Sequence, residues 1–127
     1  MPVLEKMVGF IPSRDLDRAR SFYEGQLGLT VQGDDGFALV LQVGGRMLRI
    51  VNMARGPDFT PFPFTLLGWE VQDLQRAARE LRDKGVTLER YPGLTQDELG
   101  VWTSPNGDQV AWFKDPDGNV LSVSSHR

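Results

Sequence analysis

Apolar positions along this chain follow two rhythms, one of strands and one of helices, and the sequence of rhythms occurs twice. Residues 7–11 form a short apolar run of strand character. Beyond it, Leu16, Ala19, Phe22, Tyr23 and Leu27 are spaced by three or four, which places them on one face of a helix. Ser13 or Asp15 can cap that helix, because a side-chain oxygen there can accept from its first free N–H groups. Gly28 stands where a left-handed C-terminal residue is wanted. Strand patterns follow over residues 29–32, 37–43 and 47–53. Gly33-Asp34-Asp35-Gly36 reads as a turn and Gly44-Gly45 as a hairpin.

Residues 55–63, with Gly56, Pro57, Pro61 and Pro63 among their nine positions, separate this pattern from its return. Residues 65–71 read as a strand. Residues 74–84 read as a helix with Leu74, Ala77, Ala78 and Leu81 inward, ended by Gly85. Strands are expected over 86–90, 100–103, 109–114 and 120–124, with turns at Pro105-Asn106-Gly107-Asp108 and Asp115-Pro116-Asp117-Gly118-Asn119. The return is also literal. Asp15-Leu16-Asp17-Arg18-Ala19-Arg20 reappears as Asp73-Leu74-Gln75-Arg76-Ala77-Ala78, 58 positions later. Two such units make a pseudo-symmetric domain, whereas a solenoid needs three or more. The expected fold is α+β: two tandem βαβββ modules, about 1–56 and about 64–127, in a single domain over 1–127. They would form a curved sheet with helices on one side and a concave cleft on the other.

Composition narrows the function. The chain has 127 residues and a net charge of −3, with no basic stripe, so nucleic acid is not an expected partner. It has no cysteine, which excludes disulfides, thiol catalysis and thiolate metal sites. No signal peptide or long apolar span is legible, so a cytoplasmic location away from membranes is the expectation.

Two passages carry a family resemblance: residues 15–23 leading into Leu27-Gly28-Leu29, and Trp112-Phe113-Lys114-Asp115-Pro116-Asp117-Gly118-Asn119-Val120-Leu121. With them the chain resembles the vicinal oxygen chelate superfamily, the glyoxalase, bleomycin-resistance and extradiol-dioxygenase group. In metal-dependent members, the resemblance implies, a histidine precedes the Asp-Leu by seven residues and a glutamate follows the Asp-Pro-Asp-Gly-Asn turn. Here those places hold Val8, Leu66 and Ser122, and the remaining one offers Arg49, Val51 or Asn52. Divalent transition metals want imidazole, carboxylate or thiolate. No metal and no other cofactor is therefore expected. The resemblance then implies a homodimer that binds a small, largely apolar organic molecule in the cleft without metal, in sequestration or resistance. The alternatives are a glyoxalase-like lyase or isomerase with a carboxylate base, and a structural or interaction module with a filled cleft. Enzyme or binder stays open.

Strand alternation nominates the side chains of the concavity: Val8, Phe10 and Pro12, then Leu66, Gly68 and Glu70, then Val120, Ser122 and Ser124. Glu70 is the candidate catalytic base, against a plain ion pair at a sheet edge. Tyr91 and Gln96, in the long polar loop 91–100, are candidate ligand contacts, against a solvated connection. Trp102 and Trp112 could wall a planar ligand, or fill a core or a dimer interface. Arg49 could pair with an anionic group, or simply be solvated. Phe10 and Ser122 complete the candidate binding set. A serine nucleophile is not expected, because neither Ser122 nor Ser124 has a histidine read as its neighbour; the only one, His126, lies next to the C-terminus.

Overall fold

A computed structural model describes residues 3–127. The chain divides into two units, one ending at Thr60 and the other running from Pro61 to Arg127. The first contains β1 (Val8–Ser13), α1 (Leu16–Arg20), a π-helical turn (Ser21–Gln26), β2 (Thr30–Asp34), β3 (Ala38–Val43) and β4 (Arg46–Asn52). The second contains β5 (Thr65–Glu70), α2 (Leu74–Asp83), β6 (Trp102–Thr103), β7 (Gln109–Lys114) and β8 (Val120–Ser125). Each unit has one four-stranded sheet, ordered β1-β4-β3-β2 in the first and β5-β8-β7-β6 in the second. In both, the first and last strands pair in parallel and the remaining pairs are antiparallel. The repeated letters thus correspond to a repeated topology of two βαβββ modules.

The repeat extends to the helix caps. Of the two candidate caps, Asp15 serves: its Oδ1 accepts from the Arg18 N–H at 3.1 Å. Asp73 Oδ1 accepts from the Arg76 N–H at the same distance. Each carboxylate satisfies an N–H that a helix start leaves without a partner. Gly44 and Gly45 both have positive φ, +55° and +77°, the two-residue turn a right-twisted hairpin favours. In the Asp115–Asn119 turn, Asp115 Oδ1 accepts from the N–H groups of Asp117 and Asn119, each at 2.9 Å. The turn is therefore closed on its own carboxylate.

Gly33 and Asp34, read as part of a turn, instead extend β2 past a register shift, and two further elements differ from their sequence patterns. The first helix is not regular: after Arg20 it opens into a π turn, with the Leu27 N–H donating to the Phe22 carbonyl at 2.9 Å. A π turn holds an extra residue, and here the consecutive Phe22 and Tyr23 both reach the core, ring edge to ring face at 5.0 Å. The second difference is the strand expected over 86–90, which is reduced to a single bridge from Leu88 to Phe113. The physical reason lies on β7, which has one edge free of β8. Leu88 opposes Phe113 at one end of that edge, and Trp102 and Thr103 oppose Val110 and Gln109 at the other. Residues 91–100 interrupt what would otherwise be one edge strand. Among the described residues, no helix is long and apolar enough to cross a membrane.

Candidate functional site

Each sheet buries one face against its helix. In the second unit Leu67, Trp69, Ala111, Phe113, Leu121 and Val123 share that face, and Trp69 stacks on Phe113 at 6.3 Å. The register then defines three rows across the helix-free face. Glu70, Ser124, Val110 and Trp102 form one, Gly68, Ser122 and Trp112 the next, and Thr65, Val120 and Lys114 the third.

Trp112 is the centre of this face. Its Nε1–H donates to Thr65 Oγ1 at 3.1 Å. Since Trp112 is on β7 and Thr65 on β5, the indole must lie across the intervening β8. That accounts for the low exposure of Val120 (5%) and Ser122 (8%), which carry no helix above them. Tyr91 meets the same indole edge to face at 5.5 Å, and Trp102 lies beside it at 6.3 Å with a 35° tilt. Three rings thus cluster at geometries that aromatic pairs favour.

Gly68 lets the central row close. A Cβ there would fall 2.3 Å from Ser122 Oγ. Gly68→Ala is expected to cost about 1–3 kcal/mol as an overpacking substitution. Adding Ser122→Ala removes the obstructing oxygen and should recover most of the loss in a urea-denaturation cycle; strict additivity of the two changes would contradict this packing.

The loop 91–100 is built on its own polar side chains. Gln96 Nε2 donates to the carbonyls of Glu89 (2.9 Å) and Gly100 (2.8 Å), while its Oε1 accepts from the Tyr91 N–H (2.8 Å). This amide fixes the backbone from which the Tyr91 ring reaches Trp112. Burial, with the Glu89 carboxylate adding to it, pushes the Tyr91 phenol above its ordinary pKa, so it stays a neutral donor at physiological pH. Burial alone would raise Asp97, but the Gln75 amide and the N–H groups of Val101, Leu99 and Gly100 outweigh it and hold the carboxyl below its usual range. Asp97 Oδ1 accepts from Leu99 and Val101 at 2.9 Å each.

The other nominated residues sit as follows. Glu70 is exposed on the edge strand β5, and among the described residues its carboxylate makes no ion pair. Phe10 and Arg49 are opposed on the helix-free face of the first sheet, with Phe10 exposed. Arg49 Nη2 donates to Asp35 Oδ2 at 2.7 Å. That guanidinium, with the N–H groups of Ala38 and Phe37, holds the Asp35 carboxyl below its ordinary pKa.

One expectation is overturned outright. Ser124 does have a histidine neighbour: its Oγ is 2.9 Å from His126 Nε2. The signal was present in the letters, since residues two apart at the end of a strand project to the same side.

The positions that the resemblance assigns to metal ligands carry Val8, Leu66 and Ser122, with Arg49, Val51 or Asn52 at the fourth. Two are aliphatic, and the serine hydroxyl lies under an indole. Among the described residues, no three His, Cys, Asp or Glu side chains are grouped to hold an ion. This donor set does not fit a divalent transition metal.

Comparison with solved structures places the same topology in known proteins. A lactoylglutathione lyase from Agrobacterium tumefaciens superposes with a TM-score of 0.73 at 20% identity, over 98% of this chain and 95% of its own. A glyoxalase/bleomycin resistance protein/dioxygenase from Alicyclobacillus acidocaldarius gives 0.70 at 20% identity, over 96% and 91%. An integron cassette protein from the mobile metagenome of V. cholerae gives 0.67 at 22% identity, over 100% and 98%. At such identities the likeness is one of fold alone. No curated protein matches the sequence. Residues 6–123, however, match one family along nearly the whole chain, and with two βαβββ modules in hand the chain belongs to the Glyoxalase/Bleomycin resistance protein/Dioxygenase superfamily.

Proposed function

We propose that this protein binds a small, flat and largely apolar organic molecule without a metal, as a homodimer that holds or sequesters its ligand. The observation that carries the reading is the cluster of Tyr91, Trp102 and Trp112 on the helix-free face of the second sheet. Large rings offer apolar area at little conformational cost, and the Tyr91 hydroxyl supplies a polar point beside them. Gln96 serves the site by fixing Tyr91, and Ser122 by letting the indole lie flat. On the first sheet, exposed Phe10 offers one further apolar surface beside Arg49, whose guanidinium is paired with Asp35. The ill-fitting donor set at the family's ligand positions supports binding over metal-assisted chemistry.

The test is native mass spectrometry, with elemental analysis, of protein purified without chelators. The expected result is a metal-free dimer that carries one organic molecule per chain, lost when the aromatic cluster is removed. A stoichiometric divalent metal would overturn the reading and return metal-assisted catalysis to first place.

A further inference from the structure

We propose that Ser124, His126 and Asp108 form a nucleophilic relay that takes an acyl group from neutral aryl or alkyl esters. The sheet register assembles it. Gln109 opposes Ser125 in the β7–β8 pair, so the flanking Asp108 and His126 come together at the strand ends. Ser124 precedes His126 by two residues, and both project to one side. The chain of contacts is continuous. Ser124 Oγ is 2.9 Å from His126 Nε2, and His126 Nδ1 is 3.2 Å from Asp108 Oδ2.

Chemistry assigns the tautomer. The N–H of Arg127 donates to Asp108 Oδ1 at 2.9 Å, and together with the imidazole contact it holds this carboxyl below its ordinary pKa. An ionised carboxylate can only accept, so Nδ1 must carry the proton. In the neutral imidazole Nε2 is then an acceptor, and the Ser124 hydroxyl must donate to it. This is the arrangement in which a histidine acts as general base toward a serine, recognised by geometry and roles rather than by order in the chain. The C-terminal segment that supplies it is seated: a Cβ on Gly107 would fall 2.6 Å from Arg127 Cδ, so the arginine side chain lies along the turn that presents Asp108. The relay is also reachable, with half of the His126 side chain exposed (50%) and Asp108 less so (25%).

The row through Ser124 indicates the substrate class. Glu70 flanks it on β5, and Val110 and then Trp102 follow on the other side. A carboxylate at that distance in sequence register disfavours an anionic acyl donor, whereas Val110 and Trp102 suit an apolar or aromatic leaving group. In the first step Ser124 Oγ bonds to the ester carbonyl carbon and its proton passes to His126 Nε2. The tetrahedral adduct expels the alkoxide, which leaves as an alcohol with that proton, and an acyl-serine remains. Water, giving a proton to Nε2, then attacks the acyl carbon; a carboxylic acid departs and Ser124 Oγ recovers its proton. Asp108 touches no reacting atom and is a positioning residue.

The experiment is incubation of the full chain with p-nitrophenyl acetate, followed by mass spectrometry of the intact protein and of its peptides. One acetyl group on Ser124 is expected. His126→Gln, a change at an exposed site, should slow nitrophenol release roughly 100-fold, the usual scale of a general base. Ser124→Ala should abolish labelling while thermal melts of both variants stay near that of the parent. Asp108→Asn should slow the reaction and Asp108→Glu should restore part of it, which a purely structural aspartate would not require. Acetylation at other sites with Ser124 unmodified, or release by His126→Gln at the parent rate, overturns the proposal.

Discussion

Phe113→Ala is expected to lower the unfolding free energy by about 3–5 kcal/mol, the range for removing a buried phenylalanine and leaving a cavity. Phe113 is 1% exposed on β7. It opposes Leu121 on β8, bridges to Leu88 and stacks on Trp69. Three segments of the second unit therefore lose a common neighbour when the ring is deleted, and fixed strands cannot collapse into the void. At this chain length roughly 3–4 °C of melting temperature accompany each kcal/mol, so a fall of roughly 10–20 °C is expected. Phe37→Ala is the control. That ring is 78% exposed, and its removal should stay within about 0.5 kcal/mol. A loss below about 1 kcal/mol for Phe113→Ala, in urea titration, would contradict the packing described for the second sheet.

Trp112→Ala should weaken ligand capture by at least roughly 10-fold, because deleting a central aromatic anchor commonly costs 2 kcal/mol or more, on the order of a hot spot. The residue organises the site in three ways: it presents a ring face, holds Tyr91 and Trp102 beside it, and covers Ser122 from its bond to Thr65. Trp112→Phe keeps an aromatic face but cannot donate to Thr65, so an intermediate loss is expected. Fluorescence titration with anilinonaphthalene sulfonate, a flat apolar probe with one anionic group, measures the series once thermal melts show the variants folded. Parent affinity in Trp112→Ala would remove the aromatic cluster from the proposed function.

Much of this was legible before the fold was known. The cap of the first helix, narrowed to Ser13 or Asp15, the Gly44-Gly45 hairpin and the turn after Lys114 depend on residues within a few positions of one another, and short-range geometry leaves them few choices. Alternation also assigned Gly68 and Glu70 to the helix-free side, but it failed at Leu66, where a register shift between Thr65 and Leu67 sets Thr65 opposite Val120 instead. Local rules failed where two segments compete for one partner. Residues 86–90 have strand character, but β7 offers them a single place, and a second segment takes the rest of the edge. The relay was missed for a related reason. Ser124 and His126 are neighbours along the strand, but Asp108 lies in another turn, and only the β7–β8 register brings it to the imidazole.

By itself, then, the amino-acid order determined the two-module topology, because periodicity and capping are properties of residue types at fixed spacing, and two motifs carried the family resemblance that exposed the mismatch at the metal positions. The tertiary structure alone decided which rings meet, that an indole spans β8 to reach Thr65, and that a penultimate histidine joins a serine to an aspartate. Those contacts depend on strand register and side-chain direction, and no spacing along a single segment specifies either.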